Sequence, residues 1–130
     1  RRMGEKYLID TNIIIDFSEG QLPVKAKVFT ASVIDNEPHL SVVNKIELLG
    51  FSIVTKSIIK FVASSNVITL TDDIIEKTIT IRKTRRIKLP DAIIAATAVV
   101  HKLILLTNND SDFRNIKGLK VLNPRNNVSF

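Results

Sequence analysis

An aspartate follows a short apolar segment near the start of the chain. Residues 7–9 are predicted to form a buried strand, and Asp10 comes directly after it. A carboxylate is costly to bury unless something pairs with it. In open α/β sheets, ligands bind just outside the carboxyl ends of the strands. Asp10 is therefore predicted to lie where a cation or a reacting group would bind.

Other acidic residues fall at equivalent places along the chain. Glu47 lies about one turn into the helix predicted after the second strand, and Asp91 lies in the first turn of a strongly apolar helix. Asp110 and Asp112 follow the fourth predicted strand. These positions share one edge of a parallel sheet, where several carboxylates would repel one another unless cations bind between them. Oxygen ligands without a Cys or His cluster favour Mg²⁺ or Mn²⁺ over zinc.

Each acidic residue also has an ordinary explanation. Asp10 could cap a helix or lie in a turn, and Glu47 could be a solvated helix residue. Asp91 could complement the helix dipole, which stabilises first-turn acids by ~0.3–1 kcal/mol. Asp110 and Asp112 could be loop acids. The joint placement of these residues favours the metal site.

The segments around these residues alternate between strand and helix patterns. Strands are predicted at residues 7–9, 39–42, 67–70, 103–106 and 120–122. Helices are predicted from a cap at Thr11 or Asn12 to residue 17, at 24–31, around 46–49, at 52–63, after a Thr71 cap, and at 91–101. This alternation predicts an α/β fold with a mainly parallel central sheet.

Length and composition limit the possible classes of protein. The 130 residues, 45% hydrophobic, fit one domain, taken as residues 3–130 because Arg1 and Arg2 precede Met3. The chain has no cysteine, no signal peptide and no apolar stretch near the ~18 residues of a membrane span, so a cytoplasmic protein is expected. The net charge of +6 suggests a polyanionic partner, although such an excess can also serve solubility alone.

Four segments resemble, in order, the motifs of the PIN domain family, particularly the VapC-type toxin ribonucleases. The segments are residues 8–12, 41–47, 89–98, and 106–109 with Asp112 and Phe113. Residues 118–124 resemble the usual ending of the family. The third segment is the most specific, and the resemblance covers nearly the whole chain.

The resemblance implies a metal-dependent endoribonuclease with a three-layer α/β/α PIN-like fold and one or two Mg²⁺ or Mn²⁺ ions. Asp10, Glu47 and Asp91 correspond to the family's acidic cluster. The fourth position is open between Asp112, which precedes a phenylalanine, and Asn109. Family members of this type commonly form homodimers and pair with a small antitoxin, so the chain is expected to be the toxin of a type II toxin–antitoxin pair.

Further residues are expected to support the site. Four polar residues are predicted to orient the carboxylates or bound water: Asn12, Ser41, Thr107 and Asn109. Asp112 is hypothesised to complete the metal site, with its loop anchored by Phe113, while Asp110 is expected to be solvent-exposed. Three basic residues before the Asp91 helix are predicted to hold RNA phosphates, with a solvated helix end as the alternative: Arg82, Arg85 and Arg86.

Other functions compete with this interpretation. A catalytically silent PIN-like module could bind nucleic acid or protein without cleaving it. An acid-cluster phosphatase would need a second aspartate where Asn12 stands. A receiver domain would need an acceptor aspartate after the third strand, and Asp72 lacks the paired acids after strand one that such a site requires.

Overall fold

The structure is a computed structural model, and it describes residues 4–126. Its elements in chain order are β1 (Tyr7–Ile9), α1 (Thr11–Ser18), α2 (Val24–Asn36), β2 (His39–Ser41), α3 (Val42–Leu49), α4 (Lys56–Ser64), β3 (Asn66–Ile68), α5 (Asp72–Thr84), α6 (Leu89–Val100), β4 (Ile104–Leu106), a 3₁₀ helix (Asp110–Phe113) and β5 (Lys120–Leu122).

The strands form one five-stranded sheet in the order β3-β2-β1-β4-β5, and every pairing is parallel. β1 is the middle strand. Ile9 at its end pairs with Leu106 at the end of β4, and Leu106 pairs with Leu122 on β5. The residues that follow β1, β2 and β4 therefore meet at one edge of the sheet. The predicted α/β fold with a parallel sheet is confirmed.

Helices cover both faces of the sheet. Alternate side chains of a strand point to opposite faces. Leu8 and Leu105 pack in one apolar cluster with residues of α5 and α6, such as Ile74. Ile9 and Leu106 pack in a second cluster with residues of α1 to α4. These two clusters make the three-layer α/β/α arrangement.

Helix α6 is the most deeply buried helix of the α5–α6 side. Its alanines at 92, 95, 96 and 98 have no exposed surface, and these small side chains let the helix backbone lie close to its neighbours. Pro90 lies in the first turn, where its missing amide hydrogen costs nothing. Asp91 follows within the same turn, so the buried helix holds this aspartate at a fixed place.

Helix caps explain two differences from the predicted boundaries. α4 begins later than predicted because the Thr55 hydroxyl accepts from the Ile58 amide, 3.3 Å away, and so caps the helix. β2 ends one residue early because Ser41 caps α3. α2 extends beyond its predicted end to Asn36. It stops there because Glu37 precedes Pro38, and the residue before a proline is disfavoured in a helix.

Among residues 4–126, no helix has the length and apolar character needed to span a membrane.

Leu8→Ala should reduce the free energy of unfolding by about 2–5 kcal/mol, because it leaves a cavity at a fully buried position of the central strand. Ile53→Ala is the matched control, since the Ile53 side chain is 86% exposed and should change stability by less than about 0.5 kcal/mol. Urea unfolding of both variants measures the difference. Equal losses would contradict this assignment of the core.

Candidate active site

Asp10 ends the central strand and begins helix α1. Its backbone amide bonds the Leu106 carbonyl at 2.9 Å, as a strand residue does. Its side chain accepts from the Thr11 amide at 2.9 Å, which makes Asp10 the cap of α1. The predicted cap at Thr11 or Asn12 is one or two residues too late. Capping and a functional role are not alternatives here, because the cap fixes the carboxylate at the sheet edge.

The Asp10 carboxylate is 5% exposed and accepts four hydrogen bonds. Oδ1 accepts from the Thr11 amide at 2.9 Å and the Asn44 side chain at 3.3 Å. Oδ2 accepts from the Thr107 hydroxyl at 2.7 Å and the Asn12 side chain at 3.3 Å. A carboxylate has about four lone-pair sites, so the Asp10 oxygens are saturated.

Burial raises the pKa of Asp10 above its ordinary value, because removal from water disfavours the charged form. The hydrogen bonds from Thr107 and from the Thr11 amide favour the ionised form and oppose this rise. The nearby negative charges of Glu47 and Asp91 raise the pKa further. The net rise means that the ionised carboxylate is electrostatically costly in the folded protein.

Asn44 is a buried residue of the site that the sequence analysis did not identify. Its side-chain oxygen accepts from the Ser41 amide at 3.0 Å, and its own amide donates to the Ser41 hydroxyl at 3.2 Å. This capping box leaves the Asn44 nitrogen to donate to Asp10 and, at 3.1 Å, to the Thr11 hydroxyl. The signal in the sequence was the spacing of Ser41 and Asn44, which matches a capping box. The predicted support from Ser41 therefore passes through Asn44.

Glu47 lies on α3, one turn beyond Asn44, and its side chain is exposed. The Thr11 hydroxyl donates to Glu47 Oε1 at 2.7 Å. Thr11 therefore holds Asp10 through its amide and Glu47 through its hydroxyl. This connects the first residue of α1 to two of the predicted acidic positions.

Asp91 is half-buried in the first turn of α6. Burial raises its pKa, and the negative charges of Asp112 and Glu47 raise it further, while Lys88 has a smaller opposing effect. These interactions, with those of Asp10, bring the four predicted carboxylates into one electrostatic cluster: Asp10, Glu47, Asp91 and Asp112. Within the described residues, no hydrogen bond to the side chains of Asp91 or Asp112 is formed.

The polar residues of the loop after β4 differ in their exposure and in their hydrogen-bond partners. Asp112 is exposed, and the next side chain, Phe113, is buried in the core as expected. Asp110 was expected to be exposed but is half-buried, and its carboxylate accepts from Asn123 at 3.1 Å. Asn109 is exposed, and its backbone amide donates to the Thr107 hydroxyl at 3.1 Å. Asp112 is therefore the acid of this loop that remains open toward Asp91.

A second polar network, which the sequence analysis missed, holds this loop against α1. Asp16 Oδ2 accepts from the Asn108 side chain at 2.6 Å and from Arg125 at 3.0 Å. Arg125 also donates from Nε to Asn108 Oδ1 at 3.3 Å. The Asn108 amide in turn donates to Asn12 Oδ1 at 3.1 Å. The predicted supporting residue Asn12 thus joins the loop to Asp10.

The three predicted phosphate-binding arginines have different surroundings. Arg82 and Arg86 are exposed at the end of α5 and just after it. Arg85 is half-buried, and its guanidinium donates to the backbone carbonyls of Asp112 and Arg114. Arg85 therefore lies against the loop that carries Asp112.

The side chains of the cluster suit a hard divalent cation. Within residues 4–126, no lysine, arginine or histidine forms an ion pair with any of the four carboxylates. As placed, no three His, Cys, Asp or Glu side chains in that range are close enough to hold one ion jointly. Mg²⁺ commonly binds through one or two carboxylates and keeps several waters. Oxygen ligands with unpaired negative charge therefore fit a hydrated Mg²⁺ or Mn²⁺ ion.

Comparison with known proteins identifies the family. The model of the PIN domain family matches residues 7–119. The chain belongs to the PIN domain family. No curated protein sequence matches it significantly.

Solved structures similar to this PIN domain come from toxin–antitoxin complexes. A chain of a toxin–antitoxin complex from Klebsiella pneumoniae is 31% identical with a TM-score of 0.74, covering 92% of this chain and 98% of that one. A chain of VapBC2 from Rickettsia felis, bound to promoter DNA, is 22% identical with a TM-score of 0.72 and coverages of 89% and 96%. A chain of VapBC-1 from Haemophilus influenzae is 24% identical with a TM-score of 0.71 and coverages of 91% and 97%. The last two likenesses show the fold alone.

In the metal-free protein, the Asp10 carboxylate should make stability depend on pH. Its pKa is raised in the folded state, so the folded protein holds a proton that the unfolded chain has released at the same pH. Stability contributed by this group therefore falls as pH rises through the window above the ordinary carboxyl pKa. Relative to Asp10→Asn, the wild type should gain stability as pH is lowered from neutral toward the ordinary aspartate pKa of about 3.9.

Urea unfolding of both proteins in EDTA across this pH range measures the effect. Asp35→Asn, at an exposed position of α2, is the control and should stay parallel to the wild type. A constant difference between wild type and Asp10→Asn at all pH values would contradict the raised pKa.

Proposed function

We propose that this PIN domain is a metal-dependent endoribonuclease and the toxin of a type II toxin–antitoxin pair. The observation that carries the proposal is the cluster of four carboxylates at the carboxyl edge of the sheet, without a paired cation among the described residues. Family membership and the toxin–antitoxin neighbours support a toxin nuclease. RNA as the substrate rests on the resemblance of the motifs and agrees with the net charge of +6.

Asp10 and Asp91 are the proposed direct metal ligands, and Glu47 and Asp112 are proposed to complete the site through the waters of that ion or by binding a second ion. A bound Mg²⁺ or Mn²⁺ supplies a water of lowered pKa and neutralises charge that develops on the phosphate. Asp91 can bind without losing a hydrogen bond to another described residue. Asp10 would have to give up one of its two 3.3 Å contacts, those from Asn44 and Asn12.

The remaining polar residues hold these carboxylates in place. The hydrogen bonds from the Thr107 hydroxyl and the Thr11 amide fix the two oxygens of Asp10. The Thr11 hydroxyl fixes one oxygen of Glu47, and Glu47 is exposed, so its second oxygen can orient an attacking water. Asn109 is proposed to orient water from the loop after β4. Arg82 and Arg86 are proposed to hold RNA phosphates beside α6.

An antitoxin is the proposed protein partner, and an apolar groove between α1, α3 and α4 supports this proposal. A cavity of about 450 Å³ lies between α1, α3 and α4, lined partly by Ile15, Leu48 and Ile58. Ile53 at its border is exposed. Large exposed apolar patches commonly mark interaction sites. A homodimer is also proposed from the family resemblance.

Cleavage of RNA by the purified protein should require Mg²⁺ or Mn²⁺. EDTA should abolish cleavage and either ion should restore it, because the carboxylates alone bring no activated water to the phosphate. Asp10→Asn and Asp91→Asn should each reduce cleavage by at least about 100-fold, the upper end of losses for groups that only orient ligands. Cleavage of a labelled RNA measures both effects, and circular dichroism checks that the variants remain folded.

Two results would contradict this function. Full activity in EDTA would exclude the metal mechanism. RNA binding without cleavage at any Mn²⁺ concentration would favour the alternative, a catalytically silent PIN module that binds nucleic acid or protein.

Asp112→Ala should reduce cleavage and raise the Mn²⁺ concentration needed for half-maximal activity, because the Asp112 carboxylate is exposed and its charge acts on Asp91. Asp110→Ala is the matched variant from the same loop, and it should keep most activity because Asp110 is bound to Asn123. Cleavage across a Mn²⁺ titration compares the two. An inactive Asp110→Ala beside a normal Asp112→Ala would reverse this assignment.

A further inference from the structure

Arg85 reaches from the end of α5 to the loop that carries Asp112. It is the first residue after the helix, and its backbone is extended. One terminal nitrogen of its guanidinium donates to the Asp112 carbonyl at 3.0 Å, and the other donates to the Arg114 carbonyl. The planar fork of arginine suits two acceptors that lie side by side. Arg85 thus binds the backbone on both sides of Phe113.

The 3₁₀ helix has few other contacts that could fix Asp112. Within the helix, the Asp112 amide bonds the Asn109 carbonyl at 3.0 Å, while the Arg114 amide makes a long bond of 3.5 Å to the Ser111 carbonyl. The last carbonyl groups of a short helix have no partner within the helix itself. Phe113 anchors the segment from the core side. The Arg85 guanidinium supplies hydrogen-bond donors for two carbonyls at the end of the 3₁₀ helix, those of Asp112 and Arg114.

Arg85 binds the loop at a point where two acids repel each other. The negative charge of Asp112 acts on Asp91, so the two carboxylates repel each other. An exposed loop could relieve this repulsion by moving Asp112 away. The guanidinium binds the backbone carbonyl of Asp112, and no ion pair to its carboxylate is formed within the described residues. The carboxylate therefore stays close to Asp91 and open to a cation.

We propose that Arg85 is a positioning residue that clamps the backbone at Asp112 and Arg114 and so holds the Asp112 carboxylate beside Asp91 for metal binding. This inference rests on the proposed metal-dependent function. It gives Arg85 a use different from the predicted phosphate contact. Its Nε nitrogen is buried without a partner among the described residues, and each terminal nitrogen already binds a carbonyl.

The test compares Arg85→Met and Arg85→Lys with Lys83→Met, which removes the same charge from an exposed position of the same segment. Hydrogen exchange by NMR reports on the clamp directly, without RNA or metal. The amides of Asp112 and Arg114 should exchange faster in Arg85→Met and at the wild-type rate in Lys83→Met. Arg85→Lys should give an intermediate rate, because an ammonium group lacks the fork that binds two carbonyls. Unchanged exchange in Arg85→Met would overturn the clamp.

Mn²⁺ binding by calorimetry, without RNA, tests the consequence for the site. Arg85→Met should weaken binding by about 10–100-fold, the range for partners that orient metal ligands. In an Asp112→Asn background, adding Arg85→Met should cause little further loss, because the two residues act through one carboxylate. A full additional loss in that background would overturn a role through Asp112.

RNA affinity in the Asp91→Asn background separates the clamp from a phosphate contact. Under the proposal, Arg85→Met leaves the salt dependence of RNA binding unchanged. A slope reduced by about one unit, with unchanged Mn²⁺ affinity, would identify a phosphate contact and overturn the clamp. If the wild type neither binds Mn²⁺ nor cleaves RNA, the proposed function is overturned. If the wild type does both and Arg85→Met binds Mn²⁺ equally well, only the role of Arg85 is overturned.

Discussion

The buried carboxylate of Asp10 is the constraint on which the rest of the site depends. β1 is the middle strand, so the residue after it is enclosed by the segments that follow β2 and β4 and loses most of its contact with water. Its oxygens are satisfied by donors from three parts of the chain: Thr11 and Asn12 on α1, Asn44 on α3, and Thr107 after β4. One charged group therefore determines where these side chains lie, and their hydrogen bonds in turn join the three segments.

This arrangement concentrates negative charge where the protein itself supplies little compensation. The raised pKa values of Asp10 and Asp91 are the energetic consequence, since each ionised carboxylate is less stable in the fold than in water. The cost is tolerated because α6 is anchored by its alanine-rich buried face rather than by polar contacts at its first turn. A cation that binds the folded state alone would relieve the repulsion and stabilise the fold through mass action. Under the proposed function, the carboxylates that would bind a cation destabilise the metal-free protein, and a bound cation would remove that cost.

The fold could be predicted from the sequence where apolar patterns decide the structure. The bounds of β1 and β5 agree with the prediction because short apolar runs between polar turns define buried parallel strands. The start of α4 could not be placed, because the hydrogen bond from Ile58 to Thr55 that caps the helix leaves no trace in apolar periodicity. The contact between Asn44 and Asp10 was also out of reach, because these residues are 34 positions apart and meet through the pairing of β1 with β2. The common edge of Asp10, Glu47 and Asp112 could be predicted, because these residues follow strand ends of a parallel sheet.

The way in which each acid is held decides what it can still bind. Asp110 is held through its own carboxylate, which accepts from Asn123, so its lone pairs are partly used. Asp112 is held through its backbone and through the neighbouring Phe113 ring, so its carboxylate remains available. Asp91 is likewise held by the helix that contains it. Asp10 is the opposite extreme, since both of its oxygens are saturated and coordination would require a neighbouring amide to move. Asp91 and Asp112 could therefore hold a cation without breaking a hydrogen bond between described residues, whereas Asp10 could do so only if it exchanged one of its weaker contacts.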